Sequence, residues 1–252
     1  MIRAVLFDLG GTLHISDSPP GRERWFAQRV IDRLEDYGIR LNVTEGELAA
    51  QLAVNAEEYK HMTEADLREY PTAEIWSKWY LKEYGLTEEQ LQPMAEELSF
   101  LYDYERPRVM RRPHLAETLE KLRSMGLRMG VVSNIISTSV VPHFLREYGI
   151  DGYMDCVVTS CGTGIRKPAP GIFREAEREM GLTPGELAYV GDTISRDVRG
   201  VRNAGWKLMI QIKNPGVAHR DKGLENSGYR PDYLIEDLSE IPAIIAEENK
   251  KG

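Results

Sequence analysis

Four short stretches, far apart in the chain, each carry polar residues where an apolar run stops. In Val5-Leu6-Phe7-Asp8-Leu9-Gly10-Gly11-Thr12-Leu13, a run of β formers ends on a single carboxylate and breaks into a glycine pair. Val131-Val132-Ser133-Asn134 ends on a hydroxyl and an amide, and Arg166-Lys167-Pro168-Ala169-Pro170 holds cations in a stiff, proline-flanked segment. Val190-Gly191-Asp192 ends on an acid, with Asp197 five residues later. A nucleophile, a cation, hydrogen-bond donors and a pair of further acids are what phosphoryl transfer to a carboxylate requires, together with a divalent ion. Taken singly, each stretch is ordinary: an Asp after a strand is most often a cap or a turn residue, and Lys-Pro is a common surface turn. Their order, and their placement at the ends of expected strands, set them apart.

For these residues to act together, one sheet has to bring them to one edge. The apolar runs predict strands at 127–133, 156–160, 187–190, 207–212 and 233–235 in addition to the first. Between them, helical patterns are expected at 114–125, 138–148, 171–180, 195–204 and from 240 onward. Strands alternating with helices of about ten residues mean a doubly wound α/β parallel sheet, whose chemistry lies at the carboxyl edge of the strands. Residues 22–105 break this alternation. They predict an all-helical bundle, with helices near 22–37, 44–61, 72–84 and 87–104. Thr44 with Glu47, and Thr87 with Gln90, have capping-box spacing, while Gly38 and Gly85 stand where helix stops are expected. Because the first strand belongs to the sheet, the helical block is an insertion. The expected division is a core of residues 1–16 and 106–252 and a cap of residues 17–105, joined through a turn-rich hinge at 14–21 and a break at 106–113. The charged tail at 247–251 is expected to fray.

The 252 residues are 42% hydrophobic and 29% charged, which suits a soluble globular chain with a sizeable core. A formal charge of −8 gives the chain as a whole no attraction to nucleic acid or anionic membrane. Two cysteines, Cys156 and Cys161, exclude a disulfide framework, and no apolar run approaches the roughly 18 residues of a membrane span. The absence of a signal-peptide pattern makes the expected location cytoplasmic. Both a monomer and a homodimer are compatible with this composition.

The motif Phe7-Asp8-x-x-Gly11-Thr12-Leu13 resembles the nucleophile loop of the haloacid dehalogenase superfamily, and the other three stretches are similar to its later motifs, in order. The resemblance implies a Rossmann-like core with a helical-bundle cap, and a Mg²⁺-dependent phosphatase acting on a small phosphorylated metabolite. It makes Asp8 the nucleophile, with Lys167 pairing with it and with the phosphate. Gly11, Thr12, Ser133 and Asn134 would surround the phosphoryl oxygens. Asp8, Asp192 and the carbonyl of Gly10 would hold Mg²⁺, with Asp197 supporting.

Gly10 departs from that pattern. Phosphatases of the superfamily carry there an Asp that protonates the leaving group and then deprotonates the attacking water, help worth about 10² to 10⁴ in rate. Three outcomes follow: substrates whose leaving group needs no proton, an acid supplied from elsewhere, or a phosphate- and metal-binding protein with little turnover. His14, Asp17 and His61 are the candidate substitutes, although each also reads as a solvated hinge or helix residue. Carbon-centred alternatives are a haloacid dehalogenase, which the Gly191-Asp192 pair argues against, and a phosphonate hydrolase with a cap lysine among Lys60, Lys78 and Lys82. The twelve aromatics of the insert read as bundle core or as a lid, and Arg106, Arg108, Arg111 and Arg112 as a solvated basic run.

Overall fold

Strand β1 (Ala4–Phe7) lies inside the parallel sheet with both faces covered. Its alternate side chains serve two cores: Val5 and Phe7 join one apolar cluster, Ala4 and Leu6 the other. The computed structural model describes residues 1–224 and 227–251. Two short strands, β2 (His14–Asp17) and β3 (Arg108–Arg111), lie outside the main sheet. The sheet is completed by β4 (Arg128–Ser133), β5 (Cys156–Thr159), β6 (Leu187–Gly191), β7 (Leu208–Ile212) and β8 (Tyr233–Ile235), in the order β5-β4-β1-β6-β7-β8.

Register does the positioning. Phe7 pairs with Val131 on one side and Val190 on the other. Asp8 is therefore level with Val132 and Gly191, with Ser133 and Asp192 one residue, about 3.3 Å, further along. Helices Leu115–Ser124, Val140–Glu147 and Ile241–Lys251 cover one face, and Pro170–Met180 with Arg199–Ala204 the other, so the sheet is doubly wound as expected. Among the described residues no helix is long and apolar enough to cross a membrane.

The insert is helical throughout. Helix α1 spans Arg22–Asp36 and α2 spans Glu45–Asp66. Both expected capping boxes form, at Thr44 with Glu47 and at Thr87 with Gln90. Two helices differ from expectation. The segment from Thr72 ends in a wider turn, Trp76–Tyr80, before a short 3-10 turn, Lys82–Tyr84. The expected helix at 87–104 is interrupted between Leu91 and Ala95, where Pro93 has no N–H to offer. Helix α2 also runs five residues beyond its expected end and stops on Leu67 with φ 59°. The core holds that strained residue in place, since the Leu67 carbonyl accepts from Arg166 N–H at 3.0 Å and Glu69 N–H donates to the Gly164 carbonyl at 3.0 Å.

Two further differences concern the linkers and the tail. Where a hinge is expected, β2 and β3 form an antiparallel ribbon with His14 opposite Arg111 and Asp17 opposite Arg108. The tail at 247–251, expected to fray, is helical. The Asn249 amide accepts from Ile2 N–H at 2.5 Å and donates to the Ile2 carbonyl at 3.0 Å.

Beside the Leu67 bridge, Glu69 is fully buried, accepting from Arg166, from Ser160 Oγ at 2.6 Å and from Tyr59. This buried pair joins cap to core. Glu69→Ala leaves the Arg166 charge uncompensated and is expected to cost about 3–5 kcal/mol, read as a lower urea midpoint at unchanged m. A loss under about 1 kcal/mol would show that the pair contributes little.

Candidate active site

Asp8 stands at the carboxyl end of β1. Its Oδ1 accepts from Lys167 Nζ at 2.7 Å and from Ser133 Oγ at 3.2 Å, and the Leu9 backbone N–H also stabilises the carboxylate. Lys167 Nζ also donates to Asp197 Oδ1 at 2.8 Å and to Tyr189 Oη at 2.9 Å. Asp197 Oδ2 accepts from Thr193 N–H at 3.0 Å and from Thr193 Oγ1 at 2.7 Å. Asp192 Oδ2 accepts from Asn214 Nδ2 at 2.8 Å.

One oxygen from each of Asp8, Asp192 and Asp197 lies within 4.8 Å of the others. Three buried carboxylates thus face a single buried ammonium. Burial, then the charges of Asp197 and Asp8, push Asp192 up to about 8. Burial also raises Asp8 against the pull of Lys167, whereas at Asp197 burial is overridden by Lys167 and the carboxyl sits below its ordinary range. The surplus charge and the hard oxygen donors fit a divalent cation. The Gly10 carbonyl, which accepts no hydrogen bond among the described residues, offers a further oxygen. Asp197 also holds Lys167 and the Thr193 turn through these bonds.

Most of the expected residues converge, with three corrections. Thr12 is fully buried behind the turn, away from the cavity, and its Oγ1 has no partner, so it does not reach a phosphoryl group. Gly11 N–H is committed to the His14 carbonyl at 2.7 Å and is not free for phosphoryl oxygens. What Gly11 supplies is room: with φ 93°, a Cβ there would lie 1.8 Å from Asp192 Oδ2. The Asn134 side chain accepts from Lys167 N–H at 2.8 Å and donates to the Lys167 carbonyl at 3.0 Å, beside the backbone amide expected to face the phosphoryl oxygens. The third correction concerns the basic run. Arg112 is half-buried and donates to the Gly11 carbonyl at 2.6 Å and the Lys213 carbonyl at 3.0 Å, and Arg106 lines the cavity described next.

Above Asp8 lies a cavity of about 630 Å³, floored by Asp8, Lys167 and Asp192 and roofed by Phe26, Leu52, Ala53, Ala56, Tyr80 and Tyr102 from the insert. Trp76, Tyr59 and Tyr80 are also core of the insert, so its aromatics serve both as packing and as cavity wall. The three candidate substitutes for the absent acid separate cleanly. Asp17 pairs with Arg108 on the surface, and His61 is exposed beside Glu57. His14 alone lines the cavity. Its ring packs on Phe144, its Nδ1 meets Tyr148 Oη at 3.0 Å, and its Nε2 lies 3.9 Å from where a Cβ on Gly10 would stand. Burial lowers the imidazole to about 4, so it is neutral at pH 7. Of the cap lysines, Lys60 lines the cavity in a pair with Glu57, while Lys78 and Lys82 pair with glutamates outside it.

Sequence reasoning missed Tyr189, Asn214 and Asp103. Tyr189 reads as one more apolar strand residue, yet its hydroxyl bridges Lys167 to the Val132 carbonyl at 2.7 Å. Asn214 sits in an Asn-Pro-Gly turn, a signal for local structure only. Asp103, in the second wide turn of the insert, accepts from Ile136 N–H at 3.0 Å and Ser137 N–H at 2.8 Å, and burial pushes it up to about 7.

The fold and site define a doubly wound α/β protein with a buried carboxylate cluster at the sheet edge beneath a helical insert. A family model for haloacid dehalogenase-like hydrolases matches residues 2–205, and the chain belongs to that family. A glyceraldehyde 3-phosphate phosphatase of Methanopyrus kandleri is 28% identical over 249 residues, 98% of each chain. That of Methanothermobacter thermautotrophicus is 35% identical over 133 residues, 53% of this chain and 58% of its own. Among solved structures, a HAD phosphatase from Thermococcus onnurineus superposes with a TM-score of 0.57 at 25% identity, over 97% of this chain and 98% of its own. A 2-haloacid dehalogenase from Pseudomonas syringae shares the fold, with a TM-score of 0.62 at 24% identity over 98% of this chain and all of its own.

The raised Asp192 fixes a pH dependence. Folded protein keeps a proton that the unfolded chain gives up near 3.8, so this stabilisation is fully present below 3.8 and is lost as pH rises through about 8. Metal-free protein is therefore expected to melt at lower temperature at pH 8 than at pH 6, with Mg²⁺ restoring stability at pH 8 and Asp192→Asn flattening the trend. Thermal melts at the two pH values check this, and an unchanged trend in Asp192→Asn would contradict it.

Proposed function

We propose that the chain hydrolyses small phosphomonoesters in two steps, carrying the phosphoryl group on Asp8, with Mg²⁺ held by Asp8, Asp192 and the Gly10 carbonyl. The observation that supports this most is the Asp8 carboxylate, gripped on Oδ1 by Lys167 and Ser133 at the floor of a covered cavity. The relatives named as glyceraldehyde 3-phosphate phosphatases support a small phosphorylated substrate.

Bound Mg²⁺ supplies charge neutralisation for the phosphoryl oxygens and for Asp8. In the first step an Asp8 oxygen bonds to phosphorus as the bond to the leaving oxygen breaks. Lys167 offsets the growing charge, and Ser133 Oγ holds the carboxylate in line. Gly10 has no side chain to protonate the leaving oxygen, and neutral His14 carries no spare proton, so weakly basic leaving groups such as aryl or acyl depart most readily. In the second step water attacks phosphorus, His14 Nε2 takes its proton, and the Asp8–phosphorus bond breaks to release phosphate. Tyr148 at Nδ1 holds the ring with Nε2 toward Gly10.

Mg²⁺-dependent phosphate release from an aryl and an alkyl phosphate tests the reading. The aryl ester is expected to turn over far faster, and Asp8→Asn to abolish both. His14→Phe, which keeps the packing on Phe144, is expected to leave a burst of about one leaving group per chain and to slow steady-state turnover about 10²- to 10⁴-fold. Equal slowing of burst and steady state would remove His14 from the second step. No release above the Asp8→Asn background would overturn the phosphatase reading, and a stable adduct without turnover would favour a phosphate-holding protein.

A further inference from the structure

The cations around the cavity are matched to acids almost one by one. Lys167 pairs with Asp8 and Asp197, Arg166 with Glu69, Arg196 with Glu64 at 2.8 Å and Lys60 with Glu57 at 2.8 Å. Arg220 forms no ion pair among the described residues but belongs to the phosphoryl end, where Asp8 and Asp192 are among its charged neighbours. Arg106 is the exception at the other end. Its guanidinium lies 4.1 Å over the Tyr102 ring, and its Nε donates to the Tyr102 carbonyl at 3.3 Å. Its two terminal nitrogens make no hydrogen bond among the described residues. Asp103 is a charged neighbour, and Arg106 pulls its carboxyl down, but the two make no ion-pair contact and Asp103 accepts from the Ile136 and Ser137 amides.

Arg106 is also held in place. Its N–H donates to the Leu101 carbonyl at 2.8 Å, and its own carbonyl accepts from Arg22 Nε at 3.2 Å. Arg106 and Asp8 line the same cavity, whose wall includes the apolar Phe26, Leu52 and Ala53 as well as the polar Glu23 and Glu57. A half-buried, pre-positioned cation with an open fork is an anion site, and the planar fork matches a carboxylate two-point. A second phosphate, as a dianion, would call for more than one free cation.

We propose that Arg106 is a specificity-determining residue, which pairs with a carboxylate on the organic part of the phosphomonoester while the phosphoryl group lies against Asp8. This rests on the phosphoryl position given under the proposed function. The substrate class is thus a phosphorylated carboxylic acid.

Non-hydrolysable phosphonates test it without turnover. Calorimetric titration of the full chain with Mg²⁺ would compare phosphonoacetate with methylphosphonate, and 4-carboxybenzylphosphonate with benzylphosphonate. In at least one pair the carboxylate is expected to tighten binding about tenfold or more, and Arg106→Met to erase that gain while leaving binding of the carboxylate-free phosphonate unchanged. Arg106→Lys, which keeps the charge and loses the fork, is expected to retain part of the gain. No carboxylate preference in either pair, or a preference that survives Arg106→Met, would overturn the assignment. Equal weakening of both analogues in Arg106→Met with full retention in Arg106→Lys would also overturn it, since the residue would then act on the fold. Carboxylate preference without any phosphate release would sink the phosphatase reading alone, and phosphate release without preference would sink the Arg106 assignment alone.

Discussion

Three buried carboxylates facing one lysine at the end of β1 are the constraint on which the rest of the structure depends. In a poorly solvated site such a cluster repels itself, and a proton or a divalent ion has to relieve it. The surrounding backbone is shaped to permit this crowding. A Cβ on Gly191 would come 2.4 Å from Asp197 Cγ, and one on Gly11 would collide with Asp192, so glycine is what lets the strand ends approach the acids. Lys167 answers with three acceptors, Asp8, Asp197 and Tyr189, which fix its ammonium between the sheet edge and the Thr193 turn.

The insert is tied to this centre through its linkers as much as through its helices. The ribbon of β2 and β3 carries His14, and Arg106 and Arg112 flank β3 at either end. Arg112 grips the Gly11 carbonyl, so the linker braces the turn that follows Asp8. On the far side, the Leu67 bridge and the buried Glu69–Arg166 pair attach the end of α2 to the segment that holds Lys167. His14, Arg106 and the Lys167 segment are thus all placed by contacts that run between or beside the two linkers, so the insert and the site share their supports.

Much of this was legible in the sequence because the signals are local. The apolar strands, the capping boxes at Thr44 and Thr87 and the residues at strand ends are set by neighbours a few positions away, and they fall where expected. The failures arise where distant residues decide. β2 and β3 are four-residue polar strands that exist only through pairing with each other across some ninety residues of insert, so neither half reads as a strand alone. The tail looks frayed until Asn249 meets Ile2. Thr12 sits inside a recognisable motif, but only the tight turn after Leu9 reveals that its hydroxyl faces inward. Tyr189 is indistinguishable from its apolar neighbours until Lys167 is seen beside it.

Gly10 takes its meaning from the same charge constraint. An aspartate there would add a fourth carboxylate beside Asp8 and Asp192, in a cluster where Asp192 already holds its proton up to about 8. A neutral imidazole offers a proton acceptor without adding to that charge. His14 is buried on Phe144 and braced by Tyr148, so its ring stays uncharged and aimed while Gly10 leaves the space before Nε2 open. On the proposed two-step reading, the site would lack a ready proton for the leaving group and would keep in His14 only a weak proton acceptor for water. On that proposed reading the basicity of the leaving group, rather than its size, would be the first filter on what the site turns over.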